Sequence, residues 1–474
     1  KAYEGWQLIR QYGCFGCHEI NGFDGKNRIG PDLRLEPTAE EQPKYDADPN
    51  MIAGDMRKVG PSLKHVGQKT NINWIAHWTE NPQRFRPETR MPRFFGLSNL
   101  SDHDYGGKLS KVEIAAISHF LVKQSTDVQL DEPAEGYVPN AENGKKLFME
   151  RGCLACHTYD GDEFKGVDAD FGPNLTRTKE KLLPLDPNQP TGKQKSFQWL
   201  YTWIRDPQRH HPRSRMPNLF LVPEETAEGV VDPAADIAAF LAGDGPKAWD
   251  APSFGTKSDV RELARLHLAG KVLTVAQFEE FFGNEEAGVE GTHLFPIPKE
   301  RLKGDEVVLV HDGDGRPSEQ QWSDMVMTYL GRRSVARYGC YACHDINGFG
   351  ESRPIGTALQ DWGRKDPSRL APEHIHEFLH HHGEMDGSST HALVAKSLAD
   401  AKAGAFKSEE DREAKMRTAF FFESLNHHGR PGFIFQKLRD PRSYDYMKIE
   451  SKGYTERLVM PKFKLNEEQI EAIS

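Results

Sequence analysis

Six cysteines in 474 residues fall in three pairs, and each pair is followed at once by histidine: Cys14-Phe-Gly-Cys17-His18, Cys153-Leu-Ala-Cys156-His157 and Cys340-Tyr-Ala-Cys343-His344. None is left over. Two thiols and an imidazole on so short a turn suit three chemistries: a zinc site, a redox dithiol, or covalent haem with thioethers to its vinyl groups and the histidine on iron. Zinc needs two more ligands nearby, and a dithiol needs no following histidine. Three copies that consume every cysteine therefore favour covalent haem. A disulfide within a pair would close too tight a loop, and pairing between motifs would leave each histidine unexplained. Haem is attached after export, which predicts a location in the periplasm or on the outer face of the cytoplasmic membrane. Lys1 opens into a helix-like segment with no charged-then-apolar signal region, so a leader is expected upstream of it.

The turns must be presented by something. Gly5, Gly144 and Gly331 each lie nine residues before the first cysteine, and Gly13, Gly152 and Gly339 lie immediately before it. Between them Leu8, Ile9, Leu147, Phe148 and Val335 stand at helical spacing. Glycine costs about 1 kcal/mol inside a helix, so its recurrence at one offset predicts close approach by another backbone. Downstream come Met91-Pro92, Met216-Pro217 and Met460-Pro461. Eleven Met and 30 Pro would give roughly 0.7 such dipeptides by chance. The flanks repeat too: Asn81-Pro82 and Asp206-Pro207 stand nine residues (Pro to Met) before the first two methionines, and Trp74 and Trp78 match Trp199 and Trp203.

This order of glycine-bearing helix, Cys-x-x-Cys-His, Gly-Pro-x-Leu, tryptophan helix, Met-Pro and final helix resembles class I cytochrome c, three times over most of the chain. The resemblance implies a mainly α fold of three tandem class I cytochrome c-like domains with linkers. They would occupy residues 1–125, 141–245 and 316–474, separated by a linker at 126–140 and a spacer at 246–315. It implies three covalent haem c groups on Cys14/Cys17, Cys153/Cys156 and Cys340/Cys343. Iron would be held by His18, His157 and His344, with Met91, Met216 and Met460 as distal ligands in the same order. It also implies that each histidine donates its second ring N–H to the carbonyl of the Gly-Pro-x-Leu proline. Gly172-Pro173-Asn-Leu175 fits His157; Pro31 fits His18 better in spacing than Pro61; Gly356-Thr357-Ala-Leu359 stands at the third position without proline.

The third copy departs elsewhere. From histidine to methionine the three copies span 73, 59 and 116 residues. An insertion is read at 371–430, holding His374, His376, His380, His381, His382, His391, His427 and His428. A solvated insertion, a replacement for Met460 on iron and a second metal site remain open for these residues. The last segment, Gln469 to Ser474, matches Glu113–Leu121 only as far as Ser118 and lacks the aromatic and leucine that close it, as Phe240 and Leu241 close Asp236–Leu241. A continuation past Ser474 is expected, to complete a crossing with the Gly331 helix. In the spacer, one helix is predicted from Val260 to Phe282 and a β-prone run from Val307 to Val310.

Lys and Arg number 61 against 71 Asp and Glu, a net charge of −10, which argues against general nucleic-acid binding. No run approaches the ~20 apolar residues of a membrane span. Three irons with two protein ligands each leave no open position, so the expected function is electron relay and not catalysis. A finer resemblance, to multihaem c subunits of bacterial quinol-oxidising bc-type complexes, implies c-type cytochromes, a membrane quinol-oxidising complex or a terminal oxidase as partners. The alternative is a peroxidase-like enzyme with a five-coordinate haem in the third copy, His380 or His427 supplying acid–base chemistry. Arg84, Arg86, Arg90, Arg93, Arg205, Arg209, Arg213 and Arg215 flank the Met loops, as partners for haem propionates, a docking face or solvated charge.

Overall fold

The computed structural model describes residues 1–23, 43, 47, 58–100, 104–169, 171–183, 194–210, 214–227, 229–243, 250, 252–284, 288–350, 352–370, 375, 378–379, 390–446, 448 and 451–474. Helices dominate: α1 Ala2–Tyr12, α2 Ile72–Glu80, α3 Asp104–Lys123, α4 Ala141–Glu150, α5 Lys195–Arg205, α6 Pro233–Ala242, α7 Lys257–Leu268, α8 Val275–Phe282, α9 Glu319–Tyr338, α10 Thr390–Ala403, α11 Glu409–Asn426, α12 Arg430–Arg439 and α13 Glu467–Ile473. Many start where a side chain takes up a free backbone N–H. Asn71 accepts from Trp74, Asp232 from Ala235, and Thr256, Ser318 and Asn466 head reciprocal capping boxes. Among the described residues strand is confined to two antiparallel hairpins, β1 Glu224–Thr226 with β2 Gly229–Val231 and β3 Gly283–Asn284 with β4 Val289–Glu290. Gly13, Gly152 and Gly339 have φ of 71°, 82° and 66°, a left-handed turn that ends each incoming chain and lets the Cys-x-x-Cys-His segment fold back.

Each motif-bearing helix crosses another helix at its glycine. A Cβ on Gly144 of α4 would run into the carbonyl of Asp236 on α6, a contact within one stretch of sequence. The other two crossings are exchanged. Gly331 of α9 lies against the carbonyl of Ala116 and against Phe120 on α3, whereas Gly5 of α1 lies against the carbonyl of Ala472 on α13. The first and third domains are therefore not contiguous, contrary to the expected boundaries 1–125 and 316–474. Residues 1–23 form an arm that docks on a lobe built from the described residues of 355–474; the arm 319–349 docks on a lobe built from those of 58–125. The expected crossing of the last helix with Gly331 is likewise corrected: Phe120 of α3 already fills that place.

Each unit buries its own apolar cluster. Phe148, Phe197, Tyr201 and Ile237 centre the second module. Ile75, Phe95, Ile117 and Phe120 pack with Val335 and Tyr338 in the 58–125/319–349 unit, and Phe421, Phe435 and Ile470 pack in the last lobe. The spacer joins α3 and α9 in a further core around Leu263, Phe278, Phe281 and Trp322. Among its described residues it holds two α-helices, because Ala269–Thr274 breaks the predicted one between α7 and α8. Its Asp305–Leu309 run is a 3-10 turn and not a strand.

Candidate haem sites

At all three motifs the same short pairing fixes the histidine. Gly172 N–H donates to Cys156 O at 2.6 Å, His157 Nδ1 meets Pro173 O at 2.8 Å, and Leu175 N–H donates to Thr158 O at 3.0 Å. In the unit of arm 319–349, Gly60 N–H reaches Cys343 O at 2.8 Å, His344 Nδ1 meets Pro61 O at 2.7 Å, and Leu63 N–H reaches Asp345 O at 2.9 Å. In the unit of arm 1–23, Gly356 N–H reaches Cys17 O at 2.6 Å, His18 Nδ1 meets Thr357 O at 2.8 Å, and Leu359 N–H reaches Glu19 O at 2.8 Å. A carbonyl acceptor places the proton on Nδ1 and leaves the Nε2 lone pair outward, the arrangement of a metal-ligating histidine. Burial also holds the His157 and His344 imidazoles below their ordinary value, favouring the neutral ring that a metal needs.

The pairing explains the Gly-Pro-x-Leu signature: the glycine passes the histidine ring so closely that a Cβ at Gly60, Gly172 or Gly356 would overlap it. It also corrects the partner of His18. Thr357 takes the hydrogen bond assigned to Pro31, which lies outside the described residues, and Pro61 serves His344. Burial pushes the thiols of Cys14, Cys340 and Cys343 up to about 12, so none is poised as the thiolate that dithiol exchange requires.

Each methionine belongs to the lobe that supplies the carbonyl. Trp203 Nε1 lies 3.1 Å from Met216 Sδ, and Trp78 Nε1 lies 2.9 Å from Met91 Sδ. Phe94 and Phe95, just past Met91, pack edge-on to Tyr338 at 5.8 and 4.9 Å. Past Met460, Phe463 packs edge-on to Tyr12 at 5.6 Å, and Tyr12 donates to Lys464 O at 3.0 Å. Met91 thus goes with the arm of His344, and Met460 with the arm of His18, which corrects the expected order. Four residues before Pro82 and Pro207 stand Trp78 and Trp203; Lys437 holds that place before Pro441. Its ammonium donates to Pro441 O at 2.8 Å, lies 5.0 Å from the Tyr444 ring, and is pushed down to about 8 by burial.

A continuous cavity of about 1760 Å³ is lined by all six cysteines, His18, His157, His344, Met91, Met216 and Met460. Close-packed interiors do not sustain empty apolar space on this scale, so the residues present fit large apolar groups held by thioether, imidazole and methionine sulfur. Lys69, Lys181, Arg86 and Arg90 also line it. Among the described residues none of these four is in a salt bridge, and burial, with Lys181 beside Lys69 and with Arg86 and Arg177 outweighing Glu180 beside Lys181, pushes both lysines down to about 8. The other flanking arginines divide. Arg205 and Arg209 pair with Asp131, Arg93 donates to Phe95 O, and Arg215 lies 5.7 Å from the Phe171 ring. Arg213 lies outside the described residues.

His374, His376, His380, His381 and His382 lie outside the described residues, as does the His391 side chain. His427 is exposed, 3.5 Å from Glu423, and is not among the described residues that line the cavity. The sequence placed Gly356-Thr357-Ala-Leu359 in the third copy and gave no sign that Thr357 serves His18; it also gave none of Lys69 and Lys181, which stand eight residues after Pro61 and Pro173. The equal offset is the signal that marks the two lysines.

Residues 141–242 match the cytochrome c family. This stretch is similar to cytochrome c domains, which carry covalent haem for electron transfer. No curated protein and no solved structure matches the chain. Among the described residues no helix is long and apolar enough to cross a membrane.

Proposed function

We propose that the chain is a trihaem c-type cytochrome that relays electrons between redox partners outside the cytoplasmic membrane, as a subunit or partner of a respiratory quinol-oxidising complex. Haem c would be held by Cys14/Cys17, Cys153/Cys156 and Cys340/Cys343. The iron ligands would be His18 with Met460, His157 with Met216 and His344 with Met91. The observation that carries this reading is the threefold pairing of histidine Nδ1 with a lobe carbonyl, seen in the matched cytochrome c domain and twice outside it. When bound, such a haem supplies a one-electron couple. The chain sets its potential through the sulfur ligand, burial and nearby cations, and shields it from water with the tryptophan and phenylalanine cores. Lys437, where the other copies hold a tryptophan beside methionine, favours one second reading, a catalytic haem on Cys14/Cys17.

Intact-mass analysis of the purified protein should show three haem additions; two would refute the trihaem reading. The methionine-to-iron charge-transfer band of the oxidised form, measured against total haem, should account for three methionine ligands. Two ligands with a high-spin fraction and peroxide turnover would favour the enzyme.

A further inference from the structure

We infer that the site on the third motif is the middle station of the relay, so that electrons pass between the first and second sites through the third. The inference rests on the trihaem reading. Two junctions support it, and both join equivalent residues of different copies.

At one junction the two exchanged turns lie back to back. A Cβ on Gly16 would strike the carbonyl of Ala342, which holds the same place in the third motif, and one on Gly339 would sit 3.7 Å from Cys17 Sγ. Val59 fills the space over Gly13 as Ile355 fills that over Gly339. Arg93 and Lys462, each two residues past its methionine, exchange both backbone hydrogen bonds at 2.9 Å. An approximate two-fold relation thus brings the thioether-forming edges of the first and third sites together.

At the other junction the 58–125 lobe, which serves His344, meets the second module. Thr70 bridges to Leu182, and its hydroxyl donates to Lys181 O. The Lys69 ammonium lies 4.4 Å from the Trp199 ring, and that of Lys181 lies 5.5 Å from the Trp74 ring. Lys69, Lys181 and Arg86 come together here, partly buried, with the exposed Arg90 beside Arg86; among the described residues none of the four is in a salt bridge, and Glu180 alone offsets Lys181, so the junction carries an excess of positive charge that anions would relieve. Each haem brings two propionate carboxylates, so this junction fits the carboxylate edges of the second and third haems. The third site therefore has a neighbour on either side, thioether edge to one and carboxylate edge to the other.

Pulsed dipolar EPR on the fully oxidised holoprotein, its three haems first verified by mass, should give two short iron–iron separations and one long one. The Cys153→Ala/Cys156→Ala variant removes the haem of the module that keeps its core within 141–242. It should lose one short separation and the long one, and retain the other short one. Retention of the long separation alone would overturn the order while leaving the trihaem reading intact; fewer than three haems by mass would overturn both. A second test needs no haem deletion. Lys69→Met/Lys181→Met in the full chain should lower two of the three midpoint potentials and leave the third in place, and a shift of one alone or of all three would overturn the order.

Discussion

A single hydrogen atom decides the fate of each candidate iron ligand. Gly60, Gly172 and Gly356 pass so close to His344, His157 and His18 that any side chain would displace the imidazole. Gly356→Ala should therefore disturb the site on Cys14/Cys17, far away in sequence, and cost about 1–3 kcal/mol as an overpacking change. Thermal unfolding and the axial-ligand band of the oxidised protein check this, and an unchanged band would contradict it. The cysteines and histidines stood out in the sequence because the chemistry expected of them demands those residue types at fixed spacing, and the methionines because each is followed by proline. The Thr357 segment stood out too, but not its service to His18, because a backbone carbonyl carries no mark of the arm that docks on it.

Among the elements, α3 bears most. It is the crossing partner of α9, and it carries Glu113, which is fully buried. That carboxylate accepts from Arg337 Nη1 at 2.7 Å and from the hydroxyls of Tyr338 and Tyr454 at 2.6 Å each, tying α3 and α9 to the loop before Met460. Glu113→Ala leaves the Arg337 charge buried and unpaired, so a loss of about 3–5 kcal/mol is expected in denaturant titrations. The spacer helix α7 adds a pH dependence. His267 is buried, and burial, reinforced by Arg333 and Arg337, pushes it down to about 3 from 6.5. Below pH 6.5 the unfolded chain takes up a proton that the folded chain refuses. Stability should fall by about 1.4 kcal/mol per pH unit from this group as pH drops toward 3. Denaturation midpoints should show that slope, and His267→Leu should flatten it. Helix type was readable from apolar spacing and caps; the break at Ala269–Thr274 was not, since Val260–Phe282 stays apolar at helical spacing across it.

Over the whole molecule, the repeats were visible and their assembly was not. All three arms carry glycine at the same offset, and all three lobes offer a carbonyl and a methionine, so the sequence alone does not say which arm docks on which lobe. Exchange of equivalent elements leaves every local pattern intact, as in domain swapping. The structure resolves the choice through Gly5 on Ala472 and Gly331 on Ala116. The most direct test of the proposed trihaem reading and its exchanged assembly is a potentiometric titration of Met91→His in a chain that also carries Cys14→Ala and Cys17→Ala. With the first haem gone, Met91 should still serve the haem of His344, and one of the two remaining components should move to lower potential. If both components keep their potentials, Met91 belongs to the missing first haem, and the exchanged arrangement is wrong.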